Sequence, residues 1–132
     1  MMASALEGVW RLKAAWLSGR ELDITEMRIA QLELDADLYR LVDRAGEVVD
    51  HGRYRLDRSI SPWGLDLVGE VGLNAGRTLE ALVSLEIDEP GETSLLIGYD
   101  VDGGPRPEDF QAEGEELLLT MRYARIVPRQ WS

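Results

Sequence analysis

One pattern runs through this chain: short stretches in which apolar and polar residues alternate, each closed by a turn signal. Successive side chains of a strand point to opposite faces, so a period of two marks a half-buried strand. The clearest case is residues 78–87, where Leu79, Ala81, Val83, Leu85 and Ile87 alternate with Thr78, Glu80, Leu82, Ser84 and Glu86. A chain built this way must bury one face of every strand and protect its sheet edges. Closure on itself meets both demands.

The alternation predicts about eight strands. The first starts at Val9, with Trp10, Leu12, Ala14 and Trp16 on one face and Arg11 and Lys13 on the other. Further strands are expected over residues 28–35, 38–42, 47–56, 65–68, 78–87, 94–99 and 116–125. Ser18-Gly19-Arg20, Asp35-Ala36-Asp37, Asp43-Arg44-Ala45-Gly46 and Asp88-Glu89-Pro90-Gly91 are turns by composition, because Gly admits φ > 0 and Pro fixes φ. Asp23-Ile24-Thr25-Glu26 has capping-box spacing and predicts one short helical turn. The expected fold is all-β: an up-and-down antiparallel barrel with at most one short helix. A length of 132 residues fits a single domain. No linker divides it, so residues 1–132 are read as one barrel, with core 6–125 and tail 126–132.

Composition narrows function more than it specifies it. There is no cysteine, which removes thiolate nucleophiles and cysteine-bound metals, and one histidine, His51, which removes multi-histidine metal sites. No metal and no cofactor is expected. Net charge is −11, so the surface repels nucleic-acid backbones and anionic membranes. The segment Met1-Met2-Ala3-Ser4-Ala5-Leu6 lacks a basic start and an apolar run. No stretch is long and apolar enough for a spanning helix. A cytoplasmic location is expected.

No catalytic set emerges. His51 has no nucleophile-elbow motif to serve among Ser59, Ser61, Thr78 and Ser84. Gly72-Leu73-Asn74-Ala75-Gly76-Arg77-Thr78 is one residue short of a phosphate loop and precedes a strand rather than a helix, so it reads as a turn. Asp100-Val101-Asp102-Gly103 starts like a calcium loop but lacks its later ligands. Acidic pairs such as Glu115-Glu116 carry no catalytic signal without a known separation.

Five landmarks occur in order: Leu6-Glu7-Gly8-Val9-Trp10; Gly52-Arg53-Tyr54-Arg55-Leu56-Asp57; Pro62-Trp63-Gly64-Leu65-Asp66-Leu67; the segment from Gly72 to Thr78; and Arg106-Pro107-Glu108-Asp109-Phe110. Together they resemble a bacterial lipocalin-like domain family abundant in planctomycetes. One departure is Ala81-Leu82-Val83-Ser84, where that family carries Gly-Ile-Tyr. The resemblance implies a small barrel and no particular activity. It also implies that Trp10 plugs the closed end, with Arg106 either packing across that region or clamping its loop.

Two binding modes follow. Trp10, Trp16, Tyr54, Tyr99 and Tyr123 fall on predicted inward faces. With Arg106 they line either a packed core or a pocket for a small apolar ligand. Trp63 and Trp131 lie outside the strand pattern and read as loop packing or as anchors for a protein partner. The leading expectation is a non-catalytic protein-interaction or regulatory accessory subunit. A small-ligand carrier is the alternative.

Overall fold

The computed structural model describes residues 6–87, 92–111 and 117–126. Nine strands form one antiparallel sheet: β1 (Gly8–Leu17), β2 (Arg20–Glu21), β3 (Gln31–Asp35), β4 (Leu38–Val42), β5 (Val48–Asp57), β6 (Trp63–Gly72), β7 (Thr78–Ile87), β8 (Thr93–Asp100) and β9 (Leu118–Arg125). Neighbours in sequence pair in order from β3 to β9, and β1 pairs with both β3 and β9. That double pairing closes eight strands into a barrel. The two-residue β2 hangs from the end of β1 as a small hairpin. The sequence therefore predicts the architecture correctly, including residues 38–42 and 78–87 as strands.

The interior is one continuous cluster. Trp10, Leu12, Ala15, Leu32, Leu34, Tyr39, Leu41, Tyr54, Leu65, Leu67, Leu79, Ala81, Val83, Leu95, Ile97, Met121 and Tyr123 interlock with Leu6. At one rim Trp10 is fully buried and donates from Nε1 to the Leu6 carbonyl at 2.8 Å. The Arg125 guanidinium lies 4.5 Å from the centroid of the Trp10 ring. Arg125, not Arg106, thus packs across the Trp10 plug. At the opposite rim, Leu22, Ile24, Met27 and Ile29 fold over the core. A 3-10 turn at Ile24–Glu26 shapes this cover, and Asp23 caps it by accepting from the Thr25 amide and hydroxyl. Arg44 fastens the cover by donating to the Ile24 carbonyl at 2.7 Å.

Two strand expectations need correction. A bulge in β1 falls between Leu12 and Ala14 against β9. An extra residue inverts the facing of everything after it. Leu12 pairs with Tyr123 and Ala15 with Met121 on the inner face, whereas Trp16 pairs with Thr120 on the outer one. Ala14 and Trp16 therefore do not share a face with Trp10 and Leu12. Likewise β6 is a full ten residues and begins at Trp63, which is a strand residue rather than a loop residue.

Among the described residues, one carboxylate is buried in this largely apolar interior. Asp50 of β5 is 1% exposed. Its carboxylate accepts from the Tyr39 hydroxyl (3.0 Å), the Asn74 amide (2.9 Å) and Asn74 Nδ2 (2.8 Å). Buried polar atoms are tolerated when every one finds a partner. The network fastens the β6–β7 turn to the barrel wall. Gly72 enters that turn at φ +106°, and a Cβ there would sit 2.3 Å from the Val49 carbonyl oxygen. The Gly72–Thr78 segment is therefore a turn, as its sequence predicts, and it is pinned from inside.

The chain's four tyrosines all lie on inward-facing strand positions. Burial, followed by the bond to Asp50, holds the Tyr39 hydroxyl well above the ordinary phenol range. Burial also raises Tyr99, against a smaller opposing pull from Arg77, and it raises Tyr123 strongly. A raised folded-state pKa means that the native protein holds these protons more tightly than the unfolded chain does. This contribution is complete below the unfolded value of about 10 and is lost as pH rises above it. Stability is therefore expected to fall above about pH 10. Tyrosinate absorbance should rise together with loss of the β-sheet circular dichroism. Ionisation of these phenols at their ordinary pH in a protein that stays folded would contradict this account.

Candidate functional site

The most distinctive part of the outer surface is the connection from β8 toward β9. Residues 101–111 form a strap that folds back across the barrel wall instead of projecting from it. It begins with a tight turn in which Asp100 accepts from the Asp102 amide at 2.8 Å, and the Gly103 amide donates to the Asp100 carbonyl at 3.0 Å. The acidic run that resembles a calcium loop is thus a self-satisfied turn. Among the described residues, no group of three or more Asp, Glu or His side chains is arranged to hold a metal.

Arg106 clamps the strap. Its guanidinium donates twice to Asp66 Oδ1, at 2.9 and 2.8 Å, and once to the Ala81 carbonyl at 3.0 Å. Both side chains of the pair are about four-fifths buried, at 21% and 25% exposure, so solvent screens them less than a surface pair. Gly64 makes the room, since a Cβ there would lie 3.1 Å from the guanidinium carbon. Further along, Phe110 lies over Gly98, where a Cβ would meet its ring at 3.1 Å. Of the two structural roles expected of Arg106, the structure shows the loop clamp.

The strap changes the outer wall of β7, β8 and β9. Leu82 pairs with Gly98, Gly98 with Thr120, and Thr120 with Trp16, a row on the outer face. Leu82 and Leu118 are 2% and 3% exposed although they point away from the interior. Two clefts flank the strap here. One, of about 390 Å³, is lined by Trp16, Gly19, Glu86, Leu96, Phe110, Leu118, Thr120 and Arg122. Its two charged residues, Glu86 and Arg122, pair at 3.3 Å. The other, of about 400 Å³, is lined by Asp100, Pro105, Pro107, Glu108, Asp109 and Leu117, with Arg106 and the shared Leu118.

The residues singled out in the sequence are not brought together as one site. Trp10, Tyr54 and Tyr123 are buried in the interior, and Tyr99 is half-buried against it. The Tyr123 hydroxyl meets the Met121 sulfur at 3.4 Å. The Tyr54 hydroxyl is buried and has no hydrogen-bond partner among the described residues. Trp16 and Arg106 belong to the outer strap face. Trp63 pairs with Val83, packs against the core, and stacks under Arg58 at 4.8 Å. Trp131 lies outside the described residues, as do Glu115 and Glu116. His51 sits on the outer wall beside Arg40 and Val71. Leu96, Phe110 and Leu118 are among the site residues that sequence reasoning missed. Only the Arg106-Pro107-Glu108-Asp109-Phe110 motif signalled that region.

No helix among the described residues is long and apolar enough to cross a membrane. Comparison with protein families, with curated proteins and with solved structures finds no match. What this face does has to be argued from its own chemistry.

Proposed function

We propose that this chain is a non-catalytic binding module, an accessory subunit that docks a protein partner in the cytoplasm through the face held by the strap. The observation that carries this reading is the contrast between inside and outside. The interior is a continuous packed cluster, whereas Trp16, Leu96, Phe110 and Leu118 line an open groove on the outer wall. Aromatic residues and arginine dominate the energetics of protein interfaces, and a preformed groove spares the ordering cost of binding.

The test is native mass spectrometry of the protein purified gently from its own cells. A complex with another polypeptide is expected, and Trp16→Glu should abolish it without changing thermal unfolding. Phe110→Ser serves as a second probe of the same groove. A complex that survives both changes, or a bare monomer, defeats this reading.

A second reading, a carrier of small apolar molecules, has one observation in its favour: the unsatisfied Tyr54 hydroxyl within the barrel. A buried donor without a partner costs roughly 1–3 kcal/mol, and a ligand bearing an acceptor would recover that. A stoichiometric adduct of a few hundred daltons, lost in Tyr54→Phe, would establish it.

A further inference from the structure

The two clefts beside the strap share Leu118 as a lining residue, so they are neighbours on the outer wall. Their chemistries differ sharply. The first is mainly apolar and aromatic, and its two charged lining residues, Glu86 and Arg122, pair with each other. The second carries three carboxylates, Asp100, Glu108 and Asp109, between Pro105 and Pro107. Its one cationic lining residue, Arg106, already gives its guanidinium to Asp66 and to the Ala81 carbonyl. Asp100 and Asp109 each use one oxygen to hold a neighbouring strap amide, at 2.8 and 2.9 Å, and a carboxylate has a second oxygen to offer. A net charge of −11 on the whole chain adds a long-range field of the same sign.

We infer that the strap face takes a cationic peptide segment of a partner protein, seating an apolar or aromatic side chain in the Trp16–Phe110 groove and an adjacent arginine or lysine in the Asp100–Glu108–Asp109 cleft. This rests on the protein-docking reading and deepens it by naming the partner's chemistry. Alternate side chains of an extended peptide emerge on one side about 7 Å apart, so neighbouring side chains of one segment can enter two clefts that share a lining residue. The proline pair and the Arg106 clamp hold the strap in place before the partner arrives. Acidic partners, nucleic acid and a second copy of this acidic chain are all disfavoured by the same charge.

The experiment titrates the isotope-labelled full chain with three synthetic peptides and follows the amide and indole signals. One peptide carries Trp-Gly-Arg, the second Trp-Gly-Gln and the third Trp-Gly-Glu, in otherwise identical neutral flanks. The arginine peptide is expected to bind tightest, to shift the Trp16 indole and the Phe110 and Leu118 amides, and to weaken steeply with added salt. The triple variant Asp100→Asn, Glu108→Gln, Asp109→Asn should bind it roughly tenfold less tightly while leaving the glutamine peptide unaffected. Trp16→Ala should weaken both.

Equal binding of all three peptides in the groove would overturn the charge inference and leave the docking reading standing. The charge inference would also fail if the arginine peptide bound elsewhere or not at all. A self-dimer dissolved by Trp16→Glu would put a second copy in the groove and overturn it too. Loss of the cellular complex is measured separately, so failure of the parent reading is distinguishable from failure of this one.

Discussion

Replacing Trp10 with alanine is expected to destabilise the barrel by about 3–5 kcal/mol, the range for deleting a large aromatic from a packed core. Trp10 is fully buried, and its indole bridges three parts of the chain. Its ring fills the end of the barrel, its Nε1 ties down the Leu6 carbonyl, and its face carries the Arg125 guanidinium. Alanine leaves a cavity that the strands cannot close without breaking their ladders. It also leaves the Arg125 charge without its aromatic platform, a contact worth roughly 0.5–2 kcal/mol. Against a total stability of about 5–15 kcal/mol this is a large fraction. Urea unfolding monitored by circular dichroism would measure it. Trp10→Phe restores most of the volume but not the donor, so it should recover more than half of the loss. A midpoint unchanged in Trp10→Ala would show that the end of the barrel is not where the fold is held.

The second large effect is expected at Asp50. Asp50→Ala removes the single acceptor of three hydrogen bonds and leaves the buried Tyr39 hydroxyl and the Asn74 donors unsatisfied. Buried donors abandoned in this way cost roughly 1–3 kcal/mol each, so a loss of about 2–5 kcal/mol is expected. The β6–β7 turn should loosen with it, visible as faster amide exchange in residues 73–77. Tyr39→Phe removes one donor together with the need to satisfy it and should cost less. The double variant should show clear non-additivity, because both changes act on one network. Strict additivity would mean that Asp50 acts alone.

How much of this was legible in the sequence depends on the range of each interaction. Strand β7 could be read directly, because the alternation from Leu79 to Ile87 states its inner face and its length together. The Asp23 cap and the Asp43 turn are equally local: Asp43 accepts from the amides of Ala45 and Glu47. The period-two pattern puts Trp16 on the inner face because nothing in Leu12-Lys13-Ala14 marks a bulge. The bulge exists only as a register shift against β9, more than a hundred residues away. The alternating pattern marks only residues 65–68 of β6, whereas the strand spans Trp63–Gly72. Gly69 continues it at a point of close approach, where a Cβ would run into the Asn74 carbonyl. Asp50 escaped notice because an acidic residue in an alternating strand reads as solvent-facing, and its partners Tyr39 and Asn74 stand 11 and 24 residues away. The sequence leaves Arg106 open between structural support and a pocket role, because its partner Asp66 lies 40 residues back. The candidate site itself depends on the strap lying flat. That follows from this one long-range pair and from the space left by Gly64 and Gly98, neither of which has a local signature.

The strap also divides the barrel into unequal halves. Over part of β7, β8 and β9 the sheet is covered on both sides, by the core within and by Phe110 over Gly98 without. Around β3, β4 and β5 the outer side meets water directly, through residues such as Leu38 and Val48. Local opening follows the side with fewer layers. Backbone amides of β7, β8 and β9 beneath the strap are therefore expected to exchange more slowly than those of β3, β4 and β5.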